Sequence, residues 1–189
     1  MDGFVLLDDF NGDLGRWSQA NYADYTMIEN GAAVTKGVIV KENPDAGIAG
    51  KGVSPDLIYH EETFDNAVFS FDVRVDDAAL HENWAGAFFH SGGTGGFWAD
   101  RGYLVYVTNL NQLVLYQHGV GNLATAALPV DVTQNYINIQ VELNNGSIKI
   151  YVNYSDQPVI SASDEDMTYS SGYFGLMSDY ADASFDNVM

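Results

Sequence analysis

The chain contains no cysteine, so neither a disulfide framework nor thiol chemistry contributes to it. Basic residues are nearly as scarce. Seven Lys and Arg stand against 26 Asp and Glu in 189 residues, a net charge of −19. Such a chain repels phosphate backbones and anionic lipid, which sets nucleic acid and membrane surfaces aside as partners. No apolar run reaches the roughly 18 residues that a membrane-spanning helix needs, and no segment sustains a helical period. Charged residues amount to 17%, below the roughly 25% of an ordinary soluble domain. What fills the gap is apolar, neutral polar and glycine. With 47% hydrophobic residues the chain is not disordered. Its length suits one domain over 1–189, large enough for a core without staples.

The period that is present is two. Ala67, Phe69, Phe71, Val73 and Val75 alternate with Ser70, Asp72 and Arg74. Ile137, Ile139, Val141 and Leu143 alternate with Asn138, Gln140 and Glu142, and Ile148, Ile150, Val152 and Tyr154 with Lys149, Tyr151 and Asn153. Each run predicts a strand with one buried face. Asn144-Asn145-Gly146-Ser147 between the last two predicts a tight hairpin, because Asn-Gly accepts two positive φ angles. Further strands are expected at 4–8, 25–29, 36–41, 56–60, 84–90, 102–108, 112–118, 157–161, 172–178 and 182–188, with Asn109-Leu110-Asn111 turning the chain. Short strands and frequent turns predict an all-β fold, a two-sheet antiparallel β-sandwich of jelly-roll type.

Four groups of residues invite chemistry. Asp9-x-Asn11-x-Asp13 has the spacing that opens a calcium loop, but Leu14 and Ala20 stand where an EF-hand needs Gly and Glu. A polar turn with Asx side chains on local backbone serves equally. In 81–106, Glu82, Trp84, Trp98, Asp100, Arg101 and Tyr103 collect near the flexible run Ser91–Gly96. A sugar pocket needs an aromatic face for the ring's C–H side, paired donors such as Arg and paired acceptors such as Asp or Glu. The plainer alternative is a solvent loop with a surface Arg–Asp pair. In 112–118, Gln112, Tyr116 and His118 share one face, either the rim of a concave sheet or a solvated surface. The four histidines are isolated and have no H-E-x-x-H context, so they read as surface or hydrogen-bonded core residues.

The C-terminal third, from Tyr136 to Met189, resembles concanavalin-like, laminin-G-like β-sandwich modules of secreted bacterial carbohydrate-active proteins. The shared features are Asp8-Asp9-Phe10 followed by Trp17, the glycine-rich Gly172-Tyr173-Phe174-Gly175-Leu176 and the closing Phe185-Asp186-Asn187-Val188. Within that group it is most similar to carbohydrate-binding module family 66, appended to fructan-degrading glycoside hydrolases of family 32, through Ile148–Val152, Gln157–Ile160 and Tyr169–Leu176. The resemblance implies an extracellular or cell-surface, monomeric module joined to a catalytic domain, binding a polysaccharide or oligosaccharide such as levan or inulin through terminal fructose. It also implies a structural Ca²⁺ where the first and last strands meet, with Asp9 and Asp186 as ligands and Asn11 beside them.

Catalysis is the competing reading. Family 16 glycoside hydrolases, which share the sandwich, carry Glu-x-Asp-x-x-Glu on one strand, and no such motif occurs here. The Gln-x-His strand of alginate-lyase-like sandwiches is not matched by the adjacent Gln117-His118. No Gly-x-Ser-x-Gly elbow is present. A related fold family acts on keto-sugar glycosides, and carboxylates from separate strands can converge. A protein-binding adhesion domain is a third possibility. The expectation is therefore a non-catalytic glycan-binding module, with Glu82, Trp84, Trp98, Asp100, Arg101, Tyr103, Tyr116 and His118 at the ligand.

Overall fold

In the computed structural model, residues 6–19, 26–36, 38–39, 51–52, 54–78, 83–164, 166 and 168–189 are described. The first sheet has the order β1 (Trp17–Gln19), β6 (Asp56–Phe64), β15 (Gly172–Asp179), β8 (Trp84–Ser91), β9 (Tyr103–Thr108), β10 (Gln112–Gln117) and β11 (Gly121–Ala127). The second has the order β14 (Ile160–Ser163), β13 (Ser147–Val152), β12 (Ile137–Asn144), β7 (Val68–Ala78), β16 (Ala181–Asp186), β3 (Ala32–Lys36) and β2 (Thr26–Glu29). All these pairings are antiparallel. β4 (Val38–Ile39) and β5 (Lys51–Gly52) form a separate two-stranded ribbon. This is the expected sandwich.

The period-two runs explain why the sheets stack. Phe69, Phe71, Val73 and Val75 of β7 and Ile137, Ile139 and Val141 of β12 point inward, in register through Ile137↔Val73 and Ile139↔Phe71. Leu57 and Tyr59, Phe174 and Leu176, Ala85, Ala87 and Phe89, and Val105 and Val107 meet them from the first sheet. Phe174 is the hub: it stacks on Phe69 at 4.8 Å and approaches Phe71 and Trp17 at 6.4 Å each. Each such side chain contributes roughly 1.5–3 kcal/mol through burial. The hairpin lies where Asn-Gly places it, with Asn145 at φ 46° and Gly146 at φ 80°. Asn111, at φ 60°, turns β9 into β10.

Chain entry and exit are tied together. The N–H groups of Leu7 and Asp8 donate to the Val188 carbonyl, and Val188 N–H donates back to Asp8. The Asp8 carboxylate accepts the Trp17 indole N–H and the Phe10 N–H, each at 2.8 Å. Asp8 thereby fixes the aromatic start on the core. Of the expected strands, 4–8 is reduced to the single Asp8↔Val188 bridge over its described part. Of the strand expected at 36–41, residues 36, 38 and 39 are described: Lys36 ends β3 and Val38–Ile39 form β4. β1, β3 and β11 were not anticipated. β11 is an edge strand with the sequence Gly-Asn-Leu-Ala-Thr-Ala-Ala, which carries no charge.

Phe174→Ala is expected to cost about 3–5 kcal/mol, the range for a large aromatic removed from a tight core. Urea denaturation checks this: the midpoint falls while the slope stays unchanged.

Candidate functional site

The outward positions of the first sheet are apolar too. Ile58 of β6, Met177 of β15, Trp84 and Phe88 of β8 and Leu104 of β9 are buried against Phe97, with Tyr106, Tyr116 and Tyr173 closing around them. This second cluster lies on the side of the sheet away from the main core. Gly175 makes room for it: a Cβ there would sit 2.1 Å from Cζ of Phe88 and 2.6 Å from the Leu57 carbonyl oxygen. The Phe88 ring uses that space. Phe97 opens a single helical turn, α1 (Phe97–Asp100), and packs on Phe88 at 5.9 Å. Trp98 then rests edge-on against Phe97 at 5.0 Å and Tyr116 at 6.3 Å, with His118 at 6.2 Å. Despite these supports Trp98 is 46% exposed. The result is a fixed indole presented to solvent, the arrangement a sugar ring needs.

Arg101 follows α1 with φ 65°, a left-handed conformation that turns the chain sharply into β9. Its side chain is exposed, and among the described residues no hydrogen bond or ion pair engages the guanidinium. The surface Arg–Asp pair weighed from sequence does not form. Asp100 faces the glycine loop instead. Its Oδ2 accepts the Gly95 N–H, and a Cβ on Gly93 would lie 2.9 Å from that same oxygen. Asp100 also accepts the Gly92 N–H through its carbonyl at 3.2 Å. It therefore shapes the 91–96 loop rather than standing free as a hydroxyl acceptor, a correction to the role expected for it.

Two other expected contacts are corrected. Tyr103 points into the sandwich: it is 2% exposed, stacks on Phe89 at 5.5 Å and donates its hydroxyl to Asp164. Burial and the Asp164 carboxylate push its pKa well up. Trp84 does lie on the outer face, but it is only 8% exposed and its ring is 4.7 Å from that of Tyr106, so it is floor and not platform. Trp98, Tyr116 and His118 remain together at one end of the face, with Arg101 ending the turn that carries Trp98. Glu82 lies outside the described residues. Phe88, Phe97 and Gly175 escaped the sequence reading. A glycine inside an otherwise apolar strand signals close approach, and that signal was available at 175. His90 is a core histidine, its two ring nitrogens each 2.7 Å from a backbone carbonyl oxygen, of Tyr169 and Asp65.

Two acids lie on the same face, one of them reaching the turn that carries Trp98. Asp56 pairs with Met177 across β6 and β15, and Asp179 lies two residues further along β15, opposite Trp84. Asp56 is fully buried and accepts the Phe97 N–H at 3.3 Å. Asp179 accepts the Ser54 hydroxyl, yet burial raises its pKa above the usual 3.8. β8, β9 and β10, the strands under the platform, contain no Asp or Glu.

At the junction of chain start and chain end, burial raises the Asp186 pKa, and the charges of Asp72 and Asp9 raise it further. Asp9 itself is held low by hydrogen bonds from Asn11. Asp9 thus lies within electrostatic reach of Asp186, and Asn11 is tied to Asp9. Among the described residues no three His, Asp or Glu side chains gather closely enough to hold a metal ion. The donors fit a hard cation only if backbone carbonyls complete its shell.

Residues 6–189 match the 3-keto-alpha-glucoside-1,2-lyase-like domain family. The chain belongs to that family. No curated protein matches it by sequence. Among solved structures it is similar to the carbohydrate-binding module CBM66 from Bacillus subtilis, with TM-score 0.69 and 20% identity over 92% of this chain and 93% of that one. It is also similar to the Bacillus licheniformis beta-glucanase, with TM-score 0.68 and 14% identity over 96% and 94%. A prokaryotic beta-1,3-1,4-glucanase from a mouse hindgut metagenome gives TM-score 0.64 and 14% identity over 94% and 95%. This chain thus shares a sandwich fold with a carbohydrate-binding module and with glucanases, and the likeness to family 66 anticipated from sequence holds at the level of fold.

Asp179 generates a pH-dependent expectation. Its folded pKa exceeds its unfolded value, so its ionised form opposes folding at neutral pH, and that penalty fades as pH falls through the folded pKa. Asp179→Asn keeps an acceptor for Ser54. It is expected to raise Tm near pH 7, with the gain shrinking towards about pH 4; calorimetric melting at both pH values checks this.

Proposed function

We propose that the domain binds a neutral glycan on the outer face of the first sheet without cleaving it. One observation carries the reading. The half-exposed Trp98 is braced by Phe97, Tyr116 and His118, and the turn that carries it ends in Arg101, an exposed residue whose guanidinium has no hydrogen bond or ion pair among the described residues. Trp98 offers the ring face and Arg101 offers paired donors to vicinal hydroxyls. The absence of Asp and Glu from β8, β9 and β10 weighs against the paired carboxylates of a glycoside hydrolase at this point. The charge of −19 disfavours anionic glycans. Terminal fructose of levan or inulin is the first ligand to try, on the resemblance to family 66. In its biological setting the domain would hold a joined catalytic domain on polysaccharide outside the cell and raise the local substrate concentration. A Ca²⁺ held by Asp9, Asp186 and backbone carbonyls would neutralise the repulsion at the chain junction and act on stability alone.

A second reading has its own support. Membership of a family described as lyase-like, together with a partly buried Asp179 of raised pKa on the same face, favours action on a keto-glycoside. It differs from the first reading in requiring Asp179 for turnover and not for binding.

Calorimetry and affinity electrophoresis against levan, inulin, xylan and β-glucan separate these. Arg101→Ala and Trp98→Ala are each expected to weaken glycan binding at least tenfold, about 1.4 kcal/mol, while Tm stays within about 2 °C of the wild type. Asp186→Ala or chelator should lower Tm and leave binding intact. Sugar release that Asp179→Asn abolishes would instead establish the catalytic reading, and unchanged affinity in both Arg101→Ala and Trp98→Ala would remove the site.

A further inference from the structure

The opposite surface of the sandwich, the outer face of the second sheet, holds an open depression of about 500 Å³, within the roughly 300–1,000 Å³ of small-molecule sites. Its shape follows from the register. Arg74 of β7, Ser184 of β16 and Val34 of β3 lie in one row across the sheet. Ser184, Val34 and Ala32 are small and nearly buried, so they make a floor. Arg74, Asp76 and Tyr136 rise on one side of it, and Glu29, Asn30 and Lys36 on the other.

The wall on the β7 side is built rather than incidental. The Arg74 guanidinium lies 4.7 Å over the Tyr136 ring, a cation–π contact. Arg74 Nε donates to Asp76 Oδ1 at 2.5 Å, and Asp76 Oδ2 accepts the Ser184 hydroxyl. This chain of contacts fixes the tyrosine through one of its faces. The residue is still 40% exposed. The terminal nitrogens of Arg74 make no hydrogen bond with the described residues. Across the floor Lys36 pairs with Asp182 at 3.6 Å. Only three arginines occur in the chain. Arg16 is consumed by Glu61 and Tyr59, Arg101 stands at Trp98, and Arg74 stands here.

We infer that this depression is a second saccharide-binding site, in which a neutral sugar ring lies against Tyr136 over the Ser184–Val34 floor and takes hydrogen bonds from Arg74. Neutral hydroxyls donate and accept, which suits a lining where Arg74 and Lys36 are balanced by Asp76, Asp182 and Glu29. An anionic sugar would meet that surplus of carboxylate. The inference goes beyond the site at Trp98 and does not depend on it.

The test is a nitrogen-15 NMR titration of wild type, Trp98→Ala, Tyr136→Ala and Arg74→Met with kestose, laminaritetraose, cellotetraose and xylotetraose. Arg74→Met keeps the aliphatic stem over the ring and removes the donors, so it serves if Tyr136→Ala disturbs the fold. At least one probe is expected to shift the Val34 and Ser184 amides saturably in the wild type and in Trp98→Ala. Tyr136→Ala and Arg74→Met should each weaken that response at least tenfold and leave the amides around Trp98 responding. Probes that move only the Trp98 surroundings overturn the second site and spare the first. Probes that move only Val34 and Ser184 do the opposite. Silence at both overturns both.

Discussion

The missing side chain at position 175 is what the working surface of the first sheet rests on. On its inner face the sheet follows the ordinary rule, one dry side packed against a partner sheet. On its outer face a second set of rings has to be accommodated. Phe88 occupies the volume that a Cβ at 175 would claim. Phe97 packs on Phe88, and Trp98 on Phe97. Any side chain at 175 would displace Phe88 and, through it, the rings above. The exposed indole is therefore the last member of a stack that begins inside the sheet, and its orientation is inherited from strand packing rather than from the loop that carries it. The loop contributes separately, through the grip of Asp100 on Gly95.

One sandwich serves binders and hydrolases alike, and the difference lies in what the strands present outward. Here the middle of that face is ring and aliphatic surface, and its acids, Asp56 and Asp179, stand on β6 and β15, with Asp56 turned in to hold the Phe97 N–H. Catalysis by a carboxylate pair needs both groups beside the scissile bond. A fully buried Asp56, engaged by a backbone N–H, is poorly placed for that. The same distribution favours holding a sugar.

The legible and illegible parts of this fold have a common physical origin. Where one face of a strand was wet, as in β7, β12 and β13, alternation assigned the side chains within the strands correctly, and the Asn-Gly hairpin followed from backbone sterics alone; it overran β13, which ends at Val152, so Tyr154, expected on the buried face, is instead exposed in the following turn. β9 defeated the same reasoning. Its sequence Tyr-Leu-Val-Tyr-Val-Thr is apolar at every position but the last, because both of its faces are covered, so Tyr103 was assigned to the ligand side when it faces the core. Trp84 failed for a related reason: residue type indicates an affinity for sugar, but not whether another ring already covers it. Arg101 and Trp98 were recognisable because a rare cation and a large aromatic fell beside a glycine run. Tyr136 and Arg74 were not, since 62 residues of chain separate two side chains that only the β7–β12 register brings together.

The uncharged edge strand β11 gives the acidity of the chain another meaning. A free edge of Gly, Asn, Leu, Ala and Thr offers backbone groups to any passing strand, and it carries none of the lysines, prolines or inward charges that usually blunt such edges. Its protection is collective: copies of a molecule bearing −19 charges repel one another. That protection is a property of the solvent as much as of the protein. It weakens as acid titrates the carboxylates towards the isoelectric point near 4.1, or as salt shortens the reach of the field. The carboxylates spread over this surface thus act as a colloidal brake on self-association, and their number matters more than their individual positions.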